Sequence, residues 1–308
     1  MSPDSTAYHL LRQRGGLADL SDRVQLRLTG PDRVRFLNGQ VSADVRKLIP
    51  GQALPACLTT AKGKLCADLF VTATADALLL DADPALRDTL APRLERYLIA
   101  DDVLLEDLTG QVPLVHLLGG ATEALPGTST RGANRFGQPG VDLRLETAEF
   151  STLWAQLAAT RVLLDEPLRE TLRIEAGLPR WGRELTADTL PPEAGLERTH
   201  IDYHKGCYLG QEVISRLKSV GHVNRALTGF VSDDGTPLIA GSALFSPGAE
   251  GARPLGTLTS TAWSFTLEKP IALGYLRRGS PPGSLIARPA DAAGPETRVT
   301  PHPLPFSA

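Results

Sequence analysis

Polar and apolar positions alternate from Arg23 to Leu28, where Val24, Leu26 and Leu28 lie between Arg23, Gln25 and Arg27. Period two is the pattern of a half-buried strand, because successive side chains leave the backbone on opposite faces. Gly30-Pro31-Asp32 ends the run, and a short helix is predicted next. Asp32 would cap it, Val34, Phe36 and Leu37 supply its apolar face, and Asn38-Gly39 offers a left-handed exit. After a turn at Pro50-Gly51, Ala53 to Thr59 reads as a strand and Lys62-Gly63-Lys64 as a hairpin tip. Leu65, Ala67, Leu69 and Val71 then read as one face of the returning strand, and Ala77 to Asp81 as a third strand. Asp83-Pro84 opens a helix in which Leu86, Leu90, Leu94 and Leu98 recur every four residues, with a kink predicted at Pro92. Strands at Val103 to Leu108 and Val112 to Leu118 complete an antiparallel sheet with its helix on one face.

Gly119 to Gly140 is rich in Gly, Thr, Ser and Asn and reads as a long return connection. Beyond it, Val141 to Glu146 alternates, Ala148 to Thr160 is helical, and Asp165-Glu166-Pro167 caps a helix carrying Leu168, Leu172 and Glu175 before Gly177. From Val223 onward, short strand-like runs are divided by Gly and Pro: Val223 to Val231, Ser242 to Ser246, Gly256 to Trp263, Ile271 to Leu276 and Ser284 to Pro289. That spacing suits a small β-barrel or sandwich. The fold class expected is multidomain α+β. A discontinuous N-terminal unit spans 1–50 and 135–220, an inserted antiparallel unit spans 51–134, and a C-terminal β-barrel spans 221–308.

Composition narrows the function. With 42% apolar and 22% charged residues over 308 positions, the chain can build large cores without staples. A net charge of −3 gives no overall field for holding a phosphate backbone, so general nucleic-acid binding is not expected. No apolar run approaches the ~20 residues of a spanning helix, and the first fourteen residues lack a secretory pattern, so no membrane association and a cytoplasmic address are expected. Cys57, Cys66 and Cys207 are an odd set without CxxC spacing, which fits reduced thiols and no resident metal. The glycines at Arg14-Gly15-Gly16-Leu17 and Leu118-Gly119-Gly120-Ala121 match no phosphate loop and read as turn glycines.

The densest chemistry lies in His200 to Arg216, where Cys207 has His204 and Lys205 before it and Gly210, Gln211 and Glu212 after it. Beside a Lys, and ahead of a helix starting near Gly210, a thiolate is favoured by positive charge and free backbone NH groups. A buried, inert thiol is the alternative at this level. His204 lies only three residues from Cys207, a poor arrangement for a cysteine hydrolase.

Lys205-Gly206-Cys207-Tyr208-Leu209-Gly210-Gln211-Glu212 resembles the signature of the YgfZ family of folate-binding proteins, relatives of the glycine-cleavage T-protein. The resemblance extends to Leu172–Leu185 and to Gly30–Val45, and so covers nearly the whole chain. It implies a GcvT-like arrangement of three domains around a central folate pocket, the inserted sheet being ferredoxin-like. It implies tetrahydrofolate as cofactor, with Glu175 against the pterin ring and Tyr208, Gly206, Gly210, Gln211 and Glu212 in the binding motif. Arg216 would hold the folate tail, or pair with Glu212 four residues earlier. By the same resemblance the partners are iron–sulfur client enzymes or assembly factors, including tRNA-modifying clients. Cys207, activated by Lys205, would work at the pocket rim, and a monomer is expected.

The alternative is a folate-dependent aminomethyltransferase or demethylating transferase of the T-protein type. T-protein carries paired aspartates where this chain has Ala67 followed by Asp68. If Ala67 matches the catalytic one, transfer lacks its charged partner; if the match is shifted by one residue, Asp68 fills that role.

Overall fold

In a computed structural model the described residues are 5–119, 128–248, 253–290 and 294–306. Helix α1 (Ser5–Arg14) leads into β1 (Gly16–Asp19), which anchors a five-stranded sheet of order β10-β1-β7-β9-β8. Its other members are β7 (Leu114–Leu118), β8 (Thr128–Arg131), β9 (Gly140–Arg144) and β10 (Val162–Leu163). Alternation sorts the two faces. Leu17, Val115, Leu117 and Leu143 pack on Phe150, Trp154 and Leu157 of α4 (Thr147–Ala158). Ala18, Leu114 and Leu118 pack on Tyr8 and Leu11 of α1 and on Leu168 and Leu172 of α5 (Glu166–Glu175). Asp165 caps α5 as its sequence suggests, its carboxylate accepting from the Leu168 amide at 3.0 Å.

The inserted unit runs from β2 (Val24–Thr29) through α2 (Arg33–Gln40), β3 (Ala53–Thr59), β4 (Leu65–Ala73), β5 (Leu78–Ala82) and α3 (Arg87–Glu95) to β6 (Leu104–Asp107). Its sheet is antiparallel throughout, in the order β3-β4-β5-β2-β6. Leu26, Leu28, Leu69, Val71 and Leu80 meet Phe36 and Leu37 of α2 and Leu90 and Leu94 of α3 in one core. The stripe on α3 is therefore buried as its four-residue period predicts. The Asn38-Gly39 exit is not used: α2 ends at Val41 in an extended conformation, and the Asn38 side chain accepts from the Val45 amide instead.

Strand pairing moves the boundaries between units. β2 registers with β5, Leu26 opposite Leu80, so β2 and α2 belong to the inserted sheet rather than to a unit ending at residue 50. β7 registers with β1 and β9, so it returns to the first sheet rather than closing the inserted one at residue 134. The chain changes sheets between Asp19 and Val24 and again between Asp107 and Leu114. Eight residues of the expected return connection, 120–127, lie outside the described residues, Gly120 and Ala121 among them.

After α6 (Gln211–Ser219), six strands form a closed barrel: β11 (Arg225–Ser232), β12 (Ala243–Phe245), β13 (Gly256–Ser264), β14 (Lys269–Arg277), β15 (Leu285–Arg288) and β16 (Thr297–His302). Phe230, Leu244, Leu258, Ala272, Leu285 and Val299 fill it. The architecture is multidomain α+β with a C-terminal barrel. Among the described residues no helix is long and apolar enough to cross a membrane.

Candidate functional site

The face of the inserted sheet turned away from α2 and α3 carries the chemistry. Asp68 on β4 lies directly opposite Cys57 on β3, and directly paired residues share a face. A bulge follows, where the register slips between Leu58 and Thr59. It splits the expected row on β4, since a bulge re-aims the side chains beside it. Ala67, Leu69 and Val71 stay in the core under α2 and α3, whereas Leu65 crosses to the Cys57 side and packs with Leu185 and Leu196. Position 67 therefore points into hydrocarbon and position 68 toward the polar side, whichever of the two matches the T-protein aspartate.

One carboxylate oxygen of Asp68, Oδ1, is buried without a hydrogen-bond partner. Burial, outweighing the attraction of Arg23 and joined by the fields of Asp83 and Asp81, raises this carboxyl to about 6. Cys57 is sealed from solvent. Burial first, and the negative fields of Asp68 and Glu197 in addition, push its thiol far above the ordinary range, so it stays protonated.

The site is covered by the segment between Pro191 and Gly210. It forms 3-10 turns at Pro191–Ala194 and Leu196–Arg198 and then a loop ending at the N-cap of α6. Ser42 fastens this cover, accepting from the Cys57 amide at 2.9 Å and donating to the His200 carbonyl at 2.6 Å. Thr59 adds a second tie, its hydroxyl donating to the Leu209 carbonyl at 2.6 Å. Glu197 Oε2 and the Tyr208 hydroxyl are also buried without partners. Both act on this cluster: Glu197 raises the Cys57 and Tyr203 side chains, and Tyr208 is raised by burial and then by Cys57 and Tyr203. Among the described residues five buried polar side-chain atoms lack partners, and those of Asp68, Glu197 and Tyr208 gather around Cys57. Unpartnered buried polar atoms are rare in folded proteins, and three of these five lie around one thiol.

The residues singled out in the sequence fall elsewhere in several cases. Glu175 is buried, but both of its carboxylate oxygens are taken. Tyr8 donates to Oε2 at 2.6 Å, while Ser264 at 2.6 Å and the Thr266 amide at 3.3 Å donate to Oε1. This carboxylate lashes α1 and α5 to the barrel, and both of its oxygens already accept from the chain's own donors, unlike Asp68 Oδ1 and Glu197 Oε2. Lys205 does not serve the thiol. Its ammonium donates to the carbonyls of Asn38, Val41 and Ala43 at 2.6 to 2.8 Å, which leaves no proton for Cys207. Burial lowers its pKa to about 8.

Cys207 is exposed, at the start of the turn that leads into α6. Gly210 is required there: its φ is +88°, and a Cβ would meet the Thr60 carbonyl at 2.4 Å. Gly206 has open space around it. Gln211 begins α6 half-buried. Glu212 and Arg216 are exposed and, among the described residues, form no ion pair; with Val213, Leu217 and Val220 they line a groove of ≈ 360 Å³ along α6.

Sequence reasoning missed Glu197 and the pairing of Cys57 with Asp68. One signal was available: Pro191, Pro192 and Gly195 punctuate a short stretch that carries Glu193 and Glu197, two carboxylates in a rigid turn.

With this geometry in view, comparison with known proteins is informative. Residues 5–134 match the GCVT N-terminal domain, and residues 225–306 match the glycine cleavage T-protein C-terminal barrel domain. An aminomethyltransferase from Synechococcus elongatus is 30% identical, over 86% of this chain and 78% of its own. The mitochondrial aminomethyltransferase of Gallus gallus is 29% identical, over 95% and 80%. The crystal structure of the glycine cleavage system aminomethyltransferase T from Bartonella henselae superposes with a TM-score of 0.84 at 22% identity, covering 98% of this chain and 88% of that one.

Proposed function

The chain belongs to the glycine cleavage T-protein family of aminomethyltransferases, and from that premise we propose that it binds tetrahydrofolate beside Asp68 and transfers a one-carbon unit. The observation that carries this reading is the buried, unpartnered oxygen of Asp68 opposite a protonated thiol.

The residues present suit such a ligand. A reduced pterin offers several NH donors along one edge, and Asp68 Oδ1 and Glu197 Oε2 are buried acceptors without donors, with the Tyr208 hydroxyl beside them. Bound there, tetrahydrofolate supplies the amine nitrogens that carry the one-carbon unit. Asp68 titrates at about 6, so close to neutral pH its carboxylate can take up a proton from its neighbour and return it. Glu197 orients the ring, and Cys57, held as a thiol, lines the site without attacking.

Calorimetry with tetrahydrofolate tests the assignment. Glu197→Gln weakens binding by about tenfold or more, the worth of one charge-assisted hydrogen bond, while Glu175→Gln leaves affinity unchanged. Unaltered binding by the Glu197 variant overturns the reading. In a turnover assay with a lipoyl-carrier substrate, Asp68→Asn lowers methylene transfer by about 100-fold, the usual size of a lost acid/base group.

One observation favours a second reading. Cys207 is exposed within a segment resembling the YgfZ signature, as an accessory factor for iron–sulfur clients would need. On that reading Cys207→Ala abolishes support of client enzymes and leaves folate affinity intact; on the transferase reading it changes neither turnover nor binding.

A further inference from the structure

Residues 196–209 close over the Asp68 cluster as a strap. Gly195 and Gly210, both in the left-handed conformation, stand at its two ends; Gly195 has open space around it, and Gly210 lies tight against the Thr60 carbonyl. The strap joins no sheet, and Leu196 and Tyr208 are the apolar residues it buries. Polar ties hold it to the rest of the inserted unit. Besides the bonds of Ser42 and Thr59 to its His200 and Leu209 carbonyls, the Asp202 amide donates to the Ser42 carbonyl at 3.0 Å and the Leu209 amide to the Gly39 carbonyl at 3.2 Å. Lys47 pairs with the Asp202 carboxylate. Lys205 places its three ammonium protons on the Asn38, Val41 and Ala43 carbonyls, and so seals the C-terminal end of α2. That ammonium lies 5.2 Å from the centre of the Tyr208 ring. Hydrogen bonds that water can replace hold a segment less firmly than buried apolar area does.

We infer that this strap is a lid that lifts to admit ligand to the Asp68 cluster, with Lys205 as its latch; for what it admits, the inference rests on the folate reading above. Of the three buried, unpartnered atoms around Cys57, Glu197 Oε2 and the Tyr208 hydroxyl belong to the strap and Asp68 Oδ1 to the sheet beneath it. A ligand that meets all three therefore enters with the strap raised and is enclosed when the strap reseats. Raising it gives these atoms water as a partner, which offsets part of the loss of the ties. A ligand that donates to the two carboxylates favours closure instead. Lys205 acts on this balance from outside the site: it fixes Val41 and Ala43 on either side of Ser42, and its charge faces the ring whose hydroxyl reaches the cluster.

Cys57 reports the opening, since it is sealed under the strap while Cys207 on the strap's outer side is exposed. The native protein is labelled with N-ethylmaleimide, and each cysteine peptide is read by mass spectrometry. In wild type, Cys57 reacts at a rate that stays flat in urea well below the unfolding midpoint, because a local opening exposes little surface. Lys205→Met raises that rate about tenfold or more, the worth of charged hydrogen bonds, and keeps it flat in urea, with Cys207 unchanged. Thr59→Val, which removes one neutral tie and leaves the latch in place, raises it about fivefold. The wild-type urea profile and Thr59→Val decide the matter even where Lys205→Met does not fold. A wild-type Cys57 rate that climbs along the slope of global unfolding, or a rate unmoved in the variants that fold, overturns the inference. Saturating tetrahydrofolate slows Cys57 labelling when it seats beneath the strap. If the strap opens as described and tetrahydrofolate leaves the rate unchanged, the folate reading fails and the lid stands.

Discussion

Asp68 and Asp81 occupy the same face of the same sheet, on adjacent strands, and meet opposite fates. Asp81 sits opposite Phe70, two residues beyond Asp68. Arg23 and Arg135 donate to its Oδ1 at 2.6 and 2.9 Å, and Arg135 and Arg144 to its Oδ2 at 2.8 and 3.3 Å. Arg135 also holds Asp142, which His116 approaches at 2.8 Å, so the network stitches the inserted sheet to the first one. Burial alone would raise the Asp81 carboxyl, but these arginines outweigh it and bring it down to about 2. Asp68 is half-buried, feels Arg23 only at a distance and pairs with no arginine among the described residues, and burial raises its carboxyl to about 6. A carboxylate given all its partners joins two sheets; one denied a partner keeps an oxygen open to a ligand or a proton.

The largest effect expected from breaking this contrast is at Asp81. Asp81→Asn takes the counter-charge from Arg23 and from buried Arg144 and leaves Arg135 with Asp142 alone, at a cost of about 3 to 5 kcal/mol, read as a lower urea midpoint with an unchanged slope. A loss below about 1 kcal/mol would mean that the network contributes little beyond a surface pair.

A smaller effect of opposite sign is expected at Asp68. Its folded pKa lies above the unfolded value, so the folded state binds more protons between pH ~4 and ~6. Its contribution to stability is therefore fully present below pH ~4 and lost as pH rises through about 6, a fall of roughly 3 kcal/mol. Asp68→Asn removes this fall and leaves the protein more stable than wild type at pH 7. Asp81 runs the other way: its contribution is present above pH ~4 and lost as pH falls through about 2. Denaturation curves taken from pH 3 to 8 on both variants separate the two profiles.

Much of the scaffold could be read from local pattern. The Lys62-Gly63-Lys64 tip, the Asp165 cap and the buried Leu86, Leu90 and Leu94 stripe are set by residues a few positions apart, and local physical chemistry decides them. β16 could not be read, because Thr297-Arg298-Val299-Thr300-Pro301-His302 has one aliphatic residue and owes its place to pairing with β11 and β15. The unit boundaries were missed for a related reason: β2 and β7 look alike in sequence, and only their distant partners assign them to different sheets.

The site was legible only in pieces. Asp68 could be picked out as a carboxylate on a strand, facing away from Leu69 and Val71, but what meets it on that face, Cys57 on the neighbouring strand and Glu197 on the covering segment, is set by distant stretches of chain. The part Glu175 plays in the fold could not be read, because its donors Tyr8 and Ser264 lie far from it along the chain. The partners that make a carboxylate structural are distant in sequence for Glu175 and Asp81 alike.

The most direct measurement is a titration of the Asp68 carboxyl carbon by NMR, with and without tetrahydrofolate, and with Asp81 observed in the same spectra. A midpoint of about 6 that moves on saturation with tetrahydrofolate, alongside an Asp81 signal that stays flat above pH ~4, is the predicted result. An Asp68 midpoint near the ordinary ~4, or one that tetrahydrofolate leaves in place, would contradict it.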